Sequence, residues 1–319
     1  MKLIITGCVG FIGANFTTYW LNRYPDDKII GIDCLTYAAN ISVLEILKQN
    51  KNFRFYQTDI CNQQEINNIF QRENPDMVVN FAAESHVDRS IEDSRIFVET
   101  NVLGTQTLLD ASLKYKIKRF HQISTDEVYG DLSLTSNNRF TENSPLKPNS
   151  PYSASKAAAD LMVLSYQKTY GLDVTISRSS NNYGKYQHEE KLIPKIILYA
   201  LNDRSIPIYG NGCNVRDWMY VEDHCRAIDL IIHKGRMGNI YNVGGNNLWT
   251  NLDLVKLILQ KINKPETLIR FVEDRKGHDK KYALNCDKLI MKLGWQPQVD
   301  CSEGLDKTIR YYKSGLFVG

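Results

Sequence analysis

From Leu3 to about residue 180 the chain alternates short, β-branched apolar runs with longer amphipathic stretches, and this alternation restricts the possible folds more than any other feature. Leu3-Ile4-Ile5, Lys28 to Ile32, Phe53 to Tyr56, Met77 to Phe81, Phe120 to Ile123 and Val174 to Ile176 read as buried strands. Phe11 to Arg23, Gln63 to Gln71, Ile96 to Tyr115 and Pro151 to Tyr170 read as helices. Strand and helix in strict alternation need crossover connections, and these produce an α/β, doubly wound parallel sheet. After residue 180 the pattern becomes irregular, with Gly-Asn-Gly at 210 to 212, Gly-Gly at 244 and 245, and helical stretches near Val221 to His233, Leu252 to Ile262 and Cys301 to Tyr312. The expected organisation is a first domain over 1–178, with 215–243 woven back into it, and a smaller, discontinuous C-terminal lobe from 179–214 and 244–319.

Gly7-Cys-Val-Gly10-Phe11-Ile12-Gly13 follows the first strand directly and opens the first helix. Glycines there let the backbone turn tightly and approach a pyrophosphate, which the helix N-terminus holds through free N–H groups and its dipole. Asp33 ends the second strand, 20 residues beyond Gly13, where a carboxylate accepts hydrogen bonds from adenosine ribose hydroxyls and repels a 2′-phosphate. The sheet is therefore expected to be Rossmann-type and its cofactor NAD rather than NADP. Asp59-Ile60 and Ala82-Ala83-Glu84-Ser85 fall at carboxyl ends of strands, where open α/β sheets bind ligands.

Composition removes several alternatives. A net charge of +3 from 39 basic and 36 acidic residues gives no footprint for nucleic acid or an anionic membrane. The seven cysteines are scattered, odd in number and without a Cys-x-x-Cys, which opposes a disulfide framework and a zinc site and fits a reducing, cytoplasmic setting. No metal is expected, because the histidines have no ligand spacing. Three glycines interrupt the apolar run after Lys2, unlike a signal peptide, and no segment is long and apolar enough to span a membrane.

Chemistry is concentrated in Thr125-Asp126-Glu127 and Tyr152-Ser-Ala-Ser-Lys156. A phenol of ordinary pKa near 10 is a poor base at neutral pH. A lysine one helical turn away, joined by a positive nicotinamide ring, favours the phenolate and moves it toward the working range. Ser124 and Thr125, at the end of the preceding strand, supply hydroxyls to hydrogen-bond the same substrate oxygen. Two adjacent carboxylates, Asp126 and Glu127, suit acid–base work because repulsion and burial keep one protonated and the other ionised.

The segments Ala82 to Ile91, Ile123 to Asp131, Pro151 to Lys156, Ser180 to Gly184, Glu190 to Pro194, Arg216-Asp-Trp218, Tyr220 to His224 and Asp274 to His278 resemble the nucleoside-diphosphate-hexose 4,6-dehydratases, within the extended short-chain dehydrogenase/reductase superfamily. The resemblance implies a lyase that oxidises a nucleotide-activated hexose at C4, eliminates water across C5 and C6 and returns hydride to C6, for deoxysugar biosynthesis, with Tyr152 taking the O4 proton, Glu127 the C5 proton as general base, and protonated Asp126 donating to the departing C6 hydroxyl. NAD would be tightly bound and regenerated in each turnover. The implied cofactor set is Gly7, Gly10, Phe11, Ile12, Gly13, Asp33, Thr36, Asp59, Ile60, Ala82, Ala83, Ser85, Thr100, Tyr152, Lys156 and Asn182. Ser85, Thr125 and Asn181 would contact the hexose, and Lys191, Leu192, Pro207, Tyr209, Arg216, Asn251 and His278 the nucleotide. A homodimer through a four-helix bundle is implied for Ile96 to Tyr115 and the helix from Tyr152, which carry apolar residues beyond one stripe, including Val98, Val102, Leu108, Leu109, Leu161, Met162 and Leu164.

Cys34 replaces a basic residue common in the family, and the stretch from Asp131 to Pro151 is short. These departures bear on the nucleotide and the sugar: dTDP-glucose is favoured over UDP-glucose and UDP-N-acetylglucosamine, and 5-epimerisation stays open. A UDP-sugar epimerase would not need the Asp126-Glu127 pair, a uronate decarboxylase generally lacks its aspartate, and a catalytically silent NAD-binding protein would not need the five-residue set intact.

Overall fold

Leu3, Ile4 and Ile5 are all fully buried, on both faces of one strand, as a central strand between two layers of helices requires. In the computed structural model, which describes residues 1–315, this strand β1 (Lys2–Thr6) pairs in parallel with β2 (Lys28–Asp33) on one side and β4 (Met77–Asn80) on the other. β3 (Phe53–Gln57) lies outside β2, while β5 (Arg119–Thr125) and β6 (Val174–Ser179) continue beyond β4. The order β3-β2-β1-β4-β5-β6 is the Rossmann arrangement, reversing between β1 and β4. Thr6, Asp33, Asn80 and Thr125 stand at carboxyl ends of strands around that reversal.

The sheet's two faces are covered separately. Phe16, Trp20 and Leu21 of the helix Phe11–Arg23 pack with Cys225, Ile228 and Ile232 of the helix Val221–Lys234 on one face. Leu108, Leu109 and Val163 pack with Ile66, Ile69 and Phe70 on the other. At about 25 cal/mol per Å² of apolar area, each such side chain contributes roughly 1.5–3 kcal/mol on burial.

The region that looked irregular is ordered into strands, most of them only three or four residues long. β7 (Asn181–Tyr183) pairs in parallel with β9 (Val215–Tyr220), which pairs antiparallel with β11 (Leu248–Thr250). β8 (Ile206–Tyr209) pairs with β12 (Ile269–Val272), Pro207 being tolerated within so short a ladder. β10 (Asn239–Val243) adds a seventh parallel strand outside β6. Of segment 215–243, the helix and β10 thus return to the main sheet, whereas β9 lies in the small one. The helices Leu192–Leu201, Asn251–Ile262 and Cys301–Lys313 enclose the lobe's own core around Ile196, Ile197, Leu254, Ile258 and Leu305. The last four positions of the expected 244–319 lobe lie outside the described residues.

The expected helix over Ile96 to Tyr115 is divided. Arg95–Val98 and Thr105–Lys114 are α-helical, and Glu99–Gly104 between them forms a π-helical turn. Such a bulge redirects side chains, and it often marks a functional site. Here it turns Thr100 toward the cofactor cavity and Asn101 inward, where Asn101 accepts from the Glu84 amide at 2.9 Å and donates to the Glu84 carbonyl at 3.0 Å.

Candidate active site

A cavity of about 640 Å³ opens along the carboxyl ends of the main strands. Its first wall is the glycine turn. Gly7 has φ +62°, and a Cβ on Gly13 would stand 2.0 Å from the Gly7 carbonyl oxygen, so both positions demand glycine. The helix Phe11–Arg23 begins there with no side-chain cap, leaving its first N–H groups for an anion. Asp33 accepts from the amides of Leu35 at 2.9 Å and Val9 at 3.2 Å, which orients the carboxylate into the cavity; burial nonetheless raises its pKa. Thr36, Asp59, Ile60, Ala82, Ala83, Ser85, Thr100 and Asn182 complete the predicted set around the same space. The glycine cradle, the uncapped helix and the strand-end carboxylate together fit a dinucleotide.

Thr125 ends β5, and Asp126 and Glu127 lie in the 3₁₀ turn Asp126–Tyr129 that follows. The Thr125 hydroxyl accepts from the Glu127 amide at 3.2 Å and donates to Asp126 Oδ1 at 3.3 Å. Asp126 is 2% exposed, and its Oδ2 has no partner among the described residues. Burial, then the adjacent Glu127, then Asp217 push its pKa well above the ordinary carboxylate value, which favours the protonated form. Glu127 is also raised by burial, but Arg216 and Lys191 oppose the rise and Ser153 donates to its Oε2 at 3.2 Å. The two carboxyls therefore differ in the way an acid and a base must.

Tyr152 and Lys156 rise from the first turns of the helix Pro151–Tyr170, which Ser150 caps and Pro151 begins. Burial, then Glu127, holds the Tyr152 phenol above its ordinary value, and Thr125 lowers it. The described residues alone therefore do not depress the phenol; the shift expected from sequence included a positive nicotinamide ring. Lys156 donates from Nζ to the Ile123 carbonyl at 2.7 Å, and burial lowers its pKa to about 8.

A second cavity of about 220 Å³ shares Ser85, Glu127, Asn181 and Lys191 with the first and extends into the small lobe. Leu192, Pro207, Tyr209, Arg216, Asn251 and His278 all line it. Lys191 Nζ donates to the Ser85 carbonyl at 2.9 Å, and burial lowers its pKa. Arg216 lies 4.3 Å above the Tyr282 ring and donates to the carbonyls of Val215 at 2.9 Å and Asp279 at 2.8 Å. Tyr209 stands between His278, its ring centre 6.1 Å away, and the Arg275 guanidinium at 5.2 Å. The oxygens Asn181 Oδ1 and Asn251 Oδ1 are buried without partners among the described residues, as acceptors kept for a ligand.

All the residues expected at the site thus line one of two adjoining cavities. Sequence reasoning missed Asp160 and Arg178, a fully buried pair 2.8 Å apart. Asp160 is one turn past Lys156 on the same helix and opposes the burial effect on it, while Arg178 lies 4.9 Å above the ring of Tyr129 in the acid-bearing turn. The spacing of Tyr152, Lys156 and Asp160 at successive fours was the available signal.

Fold and site together define an extended short-chain dehydrogenase/reductase. Residues 4–308 match the family model described as GDP-mannose 4,6 dehydratase, and the chain belongs to that family. It is 49% identical to a dTDP-glucose 4,6-dehydratase of Haemophilus influenzae, over 98% of both chains. The crystal structure of a dTDP-glucose 4,6-dehydratase from Streptomyces venezuelae with NAD bound superposes with TM-score 0.95 at 45% identity, covering 98% of this chain and 97% of that one. A UDP-glucose 4-epimerase from Thermotoga maritima also superposes, with TM-score 0.92, at 29% identity over 99% and 100% of the chains. The scaffold therefore serves more than one reaction, so the activity has to be read from the site and not from the fold.

Proposed function

We propose that the protein is a hydro-lyase that converts dTDP-glucose to its 4-keto-6-deoxy product in deoxysugar biosynthesis. The observation that carries this reading is the asymmetric pair Asp126 and Glu127, in one cavity with Tyr152 and Lys156. An epimerase needs only the tyrosine and lysine.

NAD held by the glycine turn and Asp33 would supply a hydride acceptor for C4 of the sugar and, reduced, a hydride donor for C6. Tyr152 takes the O4 proton, with the Lys156 ammonium and the Thr125 hydroxyl stabilising the negative charge. The resulting ketone acidifies the C5 proton, which Glu127 abstracts. Asp126 protonates the departing C6 hydroxyl, and one water leaves. With hydride on C6, Glu127 would give C5 a proton taken up by exchange with solvent. Lys191 and Arg216 hold the pyrophosphate, Arg216 through its fork and Lys191 as a point charge. Asn181 and Asn251 present acceptors to the sugar and the base, and Tyr209 offers a ring beside the base. Pro207 and Leu192 form apolar walls.

The domain division 1–178 with 215–243 against 179–214 with 244–319 is our reading of the same arrangement, the second cavity lying where the two parts adjoin. The assembly we assign is a homodimer. Leu108 and Leu109, included in the apolar surplus, are fully buried in the core, but Val98 and Leu161 are 49% and 59% exposed on helices that pack together, beside exposed Ile96 and Leu103. We assign a cytoplasmic location, which the seven free thiols support.

Incubation with dTDP-glucose, UDP-glucose and UDP-N-acetylglucosamine in heavy water tests the reading. Loss of one water from the dTDP sugar with deuterium at C5 is expected. Simple epimerisation, or turnover of a UDP sugar in preference, overturns it.

A further inference from the structure

The segment from Lys185 to Lys191 passes from β7 to the helix Leu192–Leu201, and Gln187, Glu190 and Lys191 line both cavities on the way. Its base is fastened to the body of the protein. Asn15, in the helix that the glycine turn opens, donates from Nδ2 to the Lys185 carbonyl at 3.0 Å. Gln187 Nε2 donates to the Asn182 carbonyl at 3.0 Å, and the Tyr312 hydroxyl donates to the Gln187 carbonyl.

At its far end the segment is held by Lys191 Nζ on the Ser85 carbonyl, by the His188 ring edge-on to Tyr37 at 5.4 Å, and by the Glu190 carboxylate, the charged group of the three that faces the Tyr37 loop. The Tyr37 hydroxyl, from the loop between β2 and the helix Ile41–Lys48, donates to Glu190 Oε1 at 3.3 Å. His86 Nε2 lies 3.6 Å from Oε2, and Lys191 Nζ 3.8 Å from Oε1. Tyr37 is itself held from the other side, with the Arg89 guanidinium 4.1 Å above its ring. Its neighbours Thr36 and Ala38 line the larger cavity. Three segments remote in sequence, at 37, 86 and 190, therefore meet at Glu190, at the edge of the space that would hold the dinucleotide. Glu190 takes no part in the proton or hydride transfers.

The reaction gives this closure a purpose. The hydride removed from C4 must return to C6 of the same sugar, and departure of the reduced dinucleotide in between would strand a keto sugar. On the reading that this cavity takes NAD, we propose that Glu190 is a positioning residue that closes the strap 185–191 onto the Tyr37 loop and retains the dinucleotide through the whole cycle. A carboxylate suits the task because a charged oxygen takes the stronger kind of hydrogen bond from Tyr37 and attracts the Lys191 ammonium 3.8 Å away.

The test is exchange of NAD bound to the purified holoenzyme against an excess of its fluorescent etheno analogue. Glu190→Ala is expected to release NAD about tenfold faster, the value of one charge-assisted hydrogen bond. Tyr37→Phe should give roughly a threefold increase, because only one of the contacts is lost. On dilution the Glu190→Ala enzyme should lose activity, and added NAD should restore kcat. A fall in kcat at saturating NAD with an unchanged exchange rate overturns the proposal, since it would assign Glu190 to the fold or the chemistry. Unchanged exchange in both variants overturns it as well. A wild-type protein that neither retains nor takes up NAD would instead remove the dinucleotide reading on which the strap rests.

Discussion

The two adjoining cavities are built in opposite ways. The larger has its phosphate end in one contiguous strand–turn–helix unit, where backbone amides and missing side chains do the binding. The smaller gathers Ser85, Asn181, Lys191, Pro207, Tyr209, Arg216, Asn251 and His278 from segments spread over nearly two hundred residues. Local backbone geometry is intolerant of substitution but easy to encode; a pocket of convergent side chains is the reverse. The catalytic groups stand where the two constructions meet, and Glu127, Asn181 and Lys191 belong to both.

The largest expected effect breaks the division of labour at that junction. Tyr152→Phe should slow formation of the reduced dinucleotide from dTDP-glucose by roughly a thousandfold in single turnover. Glu127→Gln should leave that step largely intact and stall water loss by a similar factor, with the reduced cofactor accumulating. Equal loss of both partial reactions in both variants would remove the assigned roles.

One substitution made in each region sharpens the contrast. Gly13→Ala places a methyl 2.0 Å from the Gly7 carbonyl oxygen and should weaken NAD binding about a hundredfold, measured by calorimetry, because the backbone has no slack there. Gly304→Ala, in the helix Cys301–Lys313, places a methyl 2.1 Å from the Tyr183 hydroxyl in the small lobe. It should cost about 2 kcal/mol of stability in a denaturant titration and leave NAD affinity within twofold of wild type.

Smaller effects belong to the convergent pocket. Asn251→Ala removes a buried unpartnered acceptor and should raise KM for the nucleotide sugar about tenfold with little change in kcat, as loss of one ligand hydrogen bond does. The mildest is a pH effect. Burial lowers Lys156 to about 8, so its ammonium is present below that pH and lost as pH rises through it, and kcat/KM for the first oxidation should fall above about pH 8. A profile flat to pH 10 would show that another group holds the phenolate.

Much of this site is legible in the chain because its parts are local. The glycine spacing, Asp33 at a strand end, the i,i+4 pair Tyr152 and Lys156, and Asp126 beside Glu127 each declare themselves within a few residues. What escapes is what depends on distance. The small sheets were unreadable because three- and four-residue strands such as Asn181–Tyr183 and Leu248–Thr250 carry no period. The π-helical turn at Glu99–Gly104 has no signature in an amphipathic run, and Asp160 acquires its meaning only from Arg178 on a neighbouring strand.

By itself, then, the sequence determined the parallel doubly wound sheet, the glycine cradle and the candidate proton-transfer groups, since alternation, backbone freedom and helical spacing are properties of short segments. Only the tertiary structure supplies the unequal surroundings of the two carboxyls. Asp126 is the more deeply buried and has its Oδ2 unpartnered, whereas Glu127 meets Ser153, Arg216 and Lys191. That difference in solvation and charge arises from residues brought together by folding.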